Sequence, residues 1–247
     1  MSKWINYRKP TETITTLISS AHKELISGNR DYLKKILDIL LYLGKQGMPL
    51  RGHRENQDSN NKGNFLELCD LFSKYGSKFE EKYKCYFNST SHEIQNELLE
   101  FVCEEILNKI VSEINKSGYY SLMVDEARSH KVQELCICVR YFNNYEIKER
   151  LLVMKNVFLD RSAESLANTI LPYLQKLGIH GIMVGQSYDG ASVMSGVNNG
   201  VQKIIRDTHE YAVYVHCLAH RVDLVLVTAC ESNDYSCNFF ITMQTLY

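Results

Sequence analysis

The stretch Ile182-Met-Val-Gly-Gln-Ser-Tyr-Asp-Gly190 decides the fold of this chain. An apolar run leads into a single acidic residue, Asp189, and a glycine turn follows. This is the pattern of a strand that delivers a carboxylate to its carboxyl end. The earlier run Tyr120-Ser-Leu-Met-Val-Asp125 has the same pattern. Two carboxylates at the ends of two strands are what a two-metal phosphoryl-transfer site requires, and nothing else in the sequence has a catalytic pattern.

Hydrophobic periodicity predicts helices before these runs and alternating strands and helices around them. The predicted N-terminal helices cover residues 11–27, 29–44, 64–75 and, from a capping box at Thr90-Ser-His-Glu93, residues 90 to about 118. The predicted strands cover 119–125, 135–142, 146–157, 182–186 and 211–216, and the predicted helices between and after them cover 162–178, 191–208 and 220–230.

This order predicts an α/β fold with a mixed five-stranded sheet and an N-terminal helical region. The first three strands form an antiparallel meander, and a crossover helix allows the fourth strand to be parallel to the first. If the fourth strand lies beside the first, Asp125 and Asp189 lie on neighbouring strands about 4.8 Å apart. We expect a helical module over 1–118, a core over 119–230 and the start of a helical insertion over 231–247, where the chain looks cut inside an element.

Composition limits the classes of function. Apolar residues make up 45% of the chain and charged residues 23%, which is a globular balance. The net charge of −1 gives no global positive field, so any contact with DNA needs a local patch. The eight cysteines form no CxxC pair and no signal peptide opens the chain, which favours free thiols inside the cell. No apolar run reaches the roughly 18 residues of a membrane span.

Three motifs resemble those of hAT-type transposases with a ribonuclease-H-like core. They are Met123-Val-Asp-Glu-Ala127, Tyr188-Asp-Gly-Ala-Ser-Val-Met-Ser-Gly196 and His216-Cys-Leu-Ala-His-Arg-Val-Asp-Leu224. Upstream, Leu43-Gly-Lys-Gln-Gly-Met-Pro-Leu-Arg-Gly-His-Arg-Glu55 is similar to the helical module that precedes this core in MYM-type zinc-finger protein 1-like proteins. The resemblance covers roughly residues 20 to 230 and implies a ribonuclease-H-like sheet in strand order 3-2-1-4-5.

The resemblance implies that Asp125 and Asp189 are the first two catalytic acids and ligands of Mg²⁺, and that Cys217 and His220 form the family's CxxH motif. It places the third acid, a Glu, and the dimerisation region beyond this chain, and the DNA-reading zinc finger before it. The family commonly has Asp-Glu-Ala-Thr-Asp where this chain has Asp125-Glu-Ala-Arg-Ser129. The exchange removes an acid and adds Arg128, which we expect to compete with metal for Asp125.

Each of these residues also has a simpler interpretation. Asp125 could be a strand residue satisfied by backbone or an arginine, and Asp189 an Asp-Gly turn or helix cap. Cys217 and His220 could supply half of a zinc site, and His216 adds one possible ligand on a different face, but structural zinc needs four ligands, so zinc is not expected. Arg51 and Arg54 suit phosphate contact, but a solvated loop or an internal Arg–acid pair explains them as well.

Two hypotheses about function follow. The first is a non-catalytic scaffold, or a DNA- or protein-interaction module, in a nuclear protein derived from a hAT transposase. The second is a Mg²⁺-dependent DNA transposase, active in hydrolysis and strand transfer in its full-length form. The first is preferred for this chain because the third acid, the dimerisation region and the zinc finger are not in it. DNA or nuclear proteins are the expected partners, the nucleus the expected location, and no membrane is expected.

Overall fold

The computed structural model describes residues 20–56, 58–129, 132–157 and 160–246. The chain forms two compact units, residues 1–104 and 105–247. The division falls inside a helix, whereas the sequence analysis places it at residue 118. Across the described ranges, no helix is both long and apolar enough to cross a bilayer.

The first unit is helical. Its helices are α1 (Ser20–Lys45), α2 (Asn64–Tyr75), α3 (Ser77–Tyr83) and most of α4 (His92–Ser117). Apolar residues at helical spacing on α1 pack against α2 and α3, and the fully buried side chains include Ile36, Leu40, Leu43, Phe65 and Phe79. The helix α3 was not predicted. The helix α4 begins where the Ser91 Oγ accepts a hydrogen bond from the Ile94 N–H, so Ser91 caps it rather than Thr90.

The sequence analysis predicted a break between two helices at residue 28, and this break is absent from the described part of the chain. The helix α1 runs without interruption through Gly28. A glycine inside a helix costs only about 0.5–1 kcal/mol relative to alanine, which the buried apolar stripe of α1 outweighs. Residues 11–19 of the first predicted helix lie outside the described residues.

The second unit contains the predicted sheet. Its strands are β1 (Tyr119–Ser129), β2 (Val132–Asn143), β3 (Glu146–Asn156), β4 (Ile182–Tyr188) and β5 (Val213–His216). Their order is β3-β2-β1-β4-β5. The pairs β1–β2 and β2–β3 are antiparallel, and β1–β4 and β4–β5 are parallel. The predicted order and directions are therefore confirmed.

Alternation along the strands separates the two faces of the sheet. Leu122, Val124, Leu135, Ile137 and Val139 are at most 4% exposed and form the centre of the core. The helix α5 (Ala163–Lys176) covers this face and begins at Ser162, whose Oγ accepts a hydrogen bond from the Ser165 N–H as predicted. The residues between the buried ones point to the opposite face, which we call the outer face.

The end of α4 joins the sheet unit through its core and through one ionic contact. Ile110 and Ile114 are buried in the same cluster as the strands. The Glu113 carboxylate accepts hydrogen bonds from the Tyr141 hydroxyl at 2.7 Å and from the Lys148 ammonium at 3.1 Å. The Tyr141 hydroxyl lowers the pKa of Glu113, and Lys148 lowers it further.

The helix predicted over 191–208 is two helices, α6 (Ser192–Ser195) and α7 (Val201–Thr208). Between them, Gly196 and Gly200 approach so closely that a Cβ on Gly200 would lie 2.4 Å from the Gly196 nitrogen. Only glycine fits both positions, so this pair forms a tight turn that helical periodicity does not reveal. The hairpin turn between β2 and β3 is centred on Asn144 and Tyr145, both at positive φ, one residue later than predicted.

Two further helices follow β5. They are α8 (Leu218–Glu231) and α9 (Asp234–Leu246). None of the described residues of α8 is buried. Its apolar side chains are largely exposed, as are those of α9, with Val225 at 67% and Phe239 at 59%. The two helices therefore present a long apolar surface.

Candidate functional site

A cavity of about 530 Å³ opens on the outer face of the sheet, beside the first turns of α8. We call it the carboxylate–thiol cavity. Its lining combines carboxylates, thiols, a thioether and an imidazole: Met123, Val124, Asp125, Glu126, Cys136, Cys138, Ser187, Asp189, Cys217, Ala219, His220 and Asp223. The structure thus brings both predicted acids, Asp125 and Asp189, and both residues of the CxxH motif to one place.

The sequence predicted Asp125 at the end of its strand. In the structure it lies inside β1. The strand continues to Ser129 because it pairs with β2, where Asp125 is opposite Cys136. The parallel pairing of β1 with β4 stops earlier, at Met123 and Ser187. Asp125 and Asp189 each come two residues after this last pair, so both follow the carboxyl end of the parallel ladder. The side chain of Asp125 is exposed, whereas those of its neighbours on the core face are buried.

Asp189 is held at the end of β4 by its surroundings. One carboxylate oxygen accepts a hydrogen bond from the Ala191 N–H at 3.2 Å, which closes an Asx turn. The Tyr214 hydroxyl donates to the Asp189 carbonyl oxygen at 3.1 Å. The Asp-Gly turn interpretation is therefore correct, and the same residue also lines the cavity.

A buried polar network anchors this end of β4. The Gln186 amide, 1% exposed, donates to the carbonyl oxygens of Gln202 and Ala212 at 3.0 and 2.9 Å. The fully buried Tyr188 hydroxyl donates to the Gln186 Oε1 at 2.8 Å, and burial raises the pKa of Tyr188. The network ties β4 to α7 and to the start of β5, so it fixes the strand that precedes Asp189.

The neighbours of Asp125 in its motif are not all available to a ligand. The Glu126 carboxylate accepts a hydrogen bond from the Arg161 guanidinium, with which it forms an ion pair. The side chain of Arg128 lies outside the described residues, so its expected competition with metal stays a prediction.

The CxxH motif lies where β5 passes into α8. Cys217 is the residue before the helix, and its N–H donates to the Tyr188 carbonyl oxygen at 2.8 Å. The His220 ring stacks on the His216 ring with centroids 5.6 Å apart. The His216 Nε2 is buried and has no hydrogen-bond partner among the described residues. The His216 ring packs on Gly190, where a Cβ would lie 2.6 Å from the His216 Cε1.

The sequence analysis did not single out the thiols and two further carboxylates of the cavity, Cys136, Cys138, Glu126 and Asp223. Cys136 and Cys138 alternate with buried residues on β2, so they share the outer face with Asp125. Burial raises the pKa of both thiols, and the Asp125 carboxylate raises both further. Asp223 lines the cavity from α8. The alternation in Leu135-Cys-Ile-Cys-Val139 could have identified the thiols, because the hairpin register places them opposite the run that ends at Asp125.

Comparison with known proteins shows which family the chain represents. Residues 1–200 match the family DUF4371, described as "ZMYM1/FAM200, RNase-like domain". This match spans well over half of the sequence, and the observed sheet has the expected ribonuclease-H-like order. The chain belongs to the ZMYM1/FAM200 family. It is therefore an RNase-like domain of a transposase-derived protein, as the motifs implied.

Two relatives of this ZMYM1/FAM200 domain carry the same printed name, "52 kDa repressor of the inhibitor of the protein kinase". The human protein is 26% identical over 206 residues, covering 76% of this chain and 26% of its own length. The mouse protein is 26% identical over 236 residues, covering 86% of this chain and 30% of its own length. The chain thus spans less than a third of the relatives that it matches.

The donors of the ZMYM1/FAM200 cavity do not fit the Mg²⁺ that the motifs imply. Magnesium requires an octahedral oxygen shell at about 2.0–2.1 Å. In this cavity Glu126 is paired with Arg161, one oxygen of Asp189 is used by the Ala191 N–H, and sulfur atoms occupy much of the wall. Within the described ranges, no three His, Cys, Asp or Glu side chains are spaced to hold an ion.

The predicted phosphate contacts, Arg51 and Arg54, lie in the first unit. The Arg51 guanidinium donates to the Asn96 side-chain oxygen at 2.6 Å and to the His92 carbonyl oxygen at 3.4 Å. These hydrogen-bond partners are neutral groups of α4. A hydrogen bond from the backbone is the main cause of the lowered pKa of Glu93, and the charge of Arg51 also contributes. Arg54 is exposed in the same loop.

Proposed function

We propose that this ZMYM1/FAM200 domain is a non-catalytic interaction module of a nuclear protein derived from a hAT transposase, with DNA or nuclear proteins as its partners. The observation that supports this most directly is the donor set of the carboxylate–thiol cavity. Asp125 and Asp189 line one cavity, but the groups around them do not form an oxygen shell for Mg²⁺. A nuclease-type site without its metals loses the charge stabilisation of the transferring phosphate.

The surfaces of the domain support a role in binding. The exposed apolar residues of α8 and α9, including Val222, Val225 and Phe240, resemble the patches that mark protein interaction sites. The relatives are named for a regulatory activity, repression of the inhibitor of a protein kinase. A regulatory role of this domain would require partners and no strand cleavage.

The lack of catalysis is tested by a nicking assay on supercoiled and hairpin DNA, with Mg²⁺ or Mn²⁺ and with an Asp125→Ala/Asp189→Ala control. We expect no cleavage above background in either protein. Metal-dependent cleavage that disappears in the double variant would show that the domain is an enzyme and would refute the proposal.

DNA binding is tested by fluorescence anisotropy with labelled duplexes at several salt concentrations. If Arg54 contacts phosphate, Arg54→Ala weakens binding and reduces its salt dependence by about one counterion, because each neutralised phosphate releases one. Arg30→Ala, also exposed in the first unit, is the matched control and should leave binding unchanged. Equal effects of both variants would mean that Arg54 makes no particular contact.

The second candidate function is a Mg²⁺-dependent DNA transposase in a full-length form. The convergence of Asp125 and Asp189 on one cavity is the observation that favours it. A further carboxylate supplied from outside this chain would then complete the oxygen shell, and the nicking assay on the longer protein would detect the resulting activity.

A further inference from the structure

A groove lies between α1 and α3 in the helical first unit, and we call it the α1–α3 groove. Its volume is about 450 Å³. Its α1 lining runs from Glu24 to Lys35, which is a length of about 16 Å at 1.5 Å per residue. Glu24, Gly28, Asp31 and Lys35 are spaced by four, three and four residues, so they share one face of α1. The groove therefore follows about three turns of the helix.

The floor of the α1–α3 groove is aromatic and apolar. The side chains of Tyr32 and Phe79 are 6% and 2% exposed, and their ring centroids are 4.9 Å apart. The Tyr32 hydroxyl donates to the Asn88 carbonyl oxygen, so its polar group is already satisfied. A Cβ on Gly28 would have no atom within 4 Å. This glycine thus leaves room in the groove for an apolar group of a ligand.

The two walls of the groove carry opposite charges. The α1 wall has the carboxylates of Glu24 and Asp31, and the α3 wall has the ammonium groups of Lys78 and Lys82. Each wall also has one residue of the other sign, Lys35 on α1 and Glu81 on α3. None of these six side chains forms an ion pair with another residue in the part of the chain that the structure describes. A ligand in the groove would therefore meet acidic partners on one side and basic partners on the other.

From the open floor and the unpaired walls we propose that the α1–α3 groove binds an amphipathic helix of a partner protein. The apolar stripe of this helix is flanked by basic residues along one edge, which pair with Glu24 and Asp31, and by acidic residues along the other, which pair with Lys78 and Lys82. Side-chain ridges of one helix pack into the grooves of its neighbours, and helix-in-groove recognition uses apolar anchors spaced three and four residues apart. Duplex DNA does not fit, because its phosphates would face the α1 carboxylates. The proposal rests on the proposed interaction function and names one class of protein partner for it.

The experiment measures the binding of fluorescent synthetic helices to the whole chain by anisotropy. The probe has about 20 residues, with a stripe of leucine and tryptophan, lysine along one edge and glutamate along the other. Two companion peptides keep the stripe but carry lysine on both edges or glutamate on both edges. A third has the composition of the probe in an order without a stripe. We expect one probe to bind per chain, more tightly than either companion, and the peptide without a stripe not to bind.

The variant Gly28→Leu tests the floor of the groove. It should fill the open space and weaken binding of the probe at least about 10-fold, the effect expected when a central anchor loses its pocket. Gly44→Leu is the matched control, because Gly44 also lies in α1 with open space at its Cβ, but outside the groove. It should bind the probe as the wild type does. An affinity of Gly28→Leu equal to that of the wild type, or an equal loss in both variants, would overturn the proposal.

The variant Lys78→Glu/Lys82→Glu tests the walls, and it decides the question if Gly28→Leu does not fold. Because both walls are then acidic, it should bind the probe roughly 10-fold more weakly and prefer the peptide with lysine on both edges. Lys74→Glu/Lys84→Glu makes the same change at lysines outside the groove and should keep the wild-type order of affinities. An unchanged order of affinities in Lys78→Glu/Lys82→Glu would refute the assignment of the walls.

Other occupants of the groove are outcomes of the same experiment. Loss of duplex DNA binding in Gly28→Leu, or a dimer of the chain that the probe dissociates, would assign the groove to DNA or to a second copy and overturn the proposal. A failure of the probe to bind is distinguishable from a failure of the proposed function, which the nicking assay decides through DNA cleavage.

Discussion

Replacement of Gln186 by leucine should destabilise the sheet unit through the polar network that it breaks. The Gln186 side chain is 1% exposed and satisfies the Ala212 carbonyl and the Tyr188 hydroxyl, both of which would remain buried without it. The Gln202 carbonyl lies in α7, where the helical ladder offers another partner. Each buried group left unsatisfied costs about 1–3 kcal/mol, so Gln186→Leu, which leaves two such groups, should cost about 2–6 kcal/mol.

A double-mutant cycle with Tyr188→Phe tests this reasoning. Tyr188→Phe alone leaves the Gln186 Oε1 unpaired, at a cost of about 1–2 kcal/mol. In the Gln186→Leu background the same change costs nothing at Gln186 and removes an already unsatisfied hydroxyl, so the double variant should be more stable than the sum of the single effects by about 2–5 kcal/mol. Urea unfolding followed by circular dichroism measures these differences, provided that the denaturant slope is constant.

Gln175→Leu is the control for the exchange itself, because Gln175 is exposed on α5. Its effect should stay within about 0.5 kcal/mol. Strictly additive effects of Gln186→Leu and Tyr188→Phe would show that the two side chains are not coupled. A cost of Gln186→Leu as small as that of the control would refute the assignment of this network as the anchor of β4.

Three further variants test single residues of the described units. The pKa of Glu113 is lowered in the folded state, mainly by the Tyr141 hydroxyl, so its stabilisation is present above its ordinary pKa of 4.5 and disappears as the pH falls through the lowered value. Glu113→Gln should therefore lower the free energy of unfolding by about 1 kcal/mol at pH 7, after screening by solvent, and by almost nothing in acid. Urea titrations that give the same loss at every pH would contradict this. Gly190→Ala should destabilise the domain by about 1–3 kcal/mol, because the added Cβ would collide with the His216 ring. Gly28→Ala should stabilise α1 by about 0.5–1 kcal/mol, because its Cβ would have no atom within 4 Å. Melting temperatures that shift in the same direction for both variants would contradict this.

The strands and the antiparallel meander could be predicted from the sequence because alternation and turn residues agreed, whereas the place of β4 beside β1 followed from the resemblance of the motifs. The prediction failed where backbone contacts decide the structure. The turn at Gly196 and Gly200 depends on two chain segments touching, and the continuity of α1 through Gly28 depends on packing. Neither contact leaves a periodic signal in the sequence.

The candidate site was predictable only in part, for a related reason. Each carboxylate could be found from the run of residues that precedes it. The thiols of Cys136 and Cys138 become part of the site only through the register of β1 against β2, which the hairpin turn sets. Asp223 reaches the cavity from α8. The hydrophobic periodicity of a helix does not show which neighbouring element each of its faces contacts.

The irregular register between β1 and β4 has a consequence for how this domain tolerates insertions and deletions. Tyr120 pairs with Met183 and Ser121 pairs with Gly185, so Val184 has no partner and is a bulge residue. Loss of Val184 would restore a regular ladder and leave Asp189 on the outer face. Loss of Ser187, beyond the bulge, would turn Asp189 towards the core and remove it from the cavity. Among related sequences, single-residue insertions and deletions in β4 should therefore occur at the bulge, because a change there leaves Asp189 on the outer face.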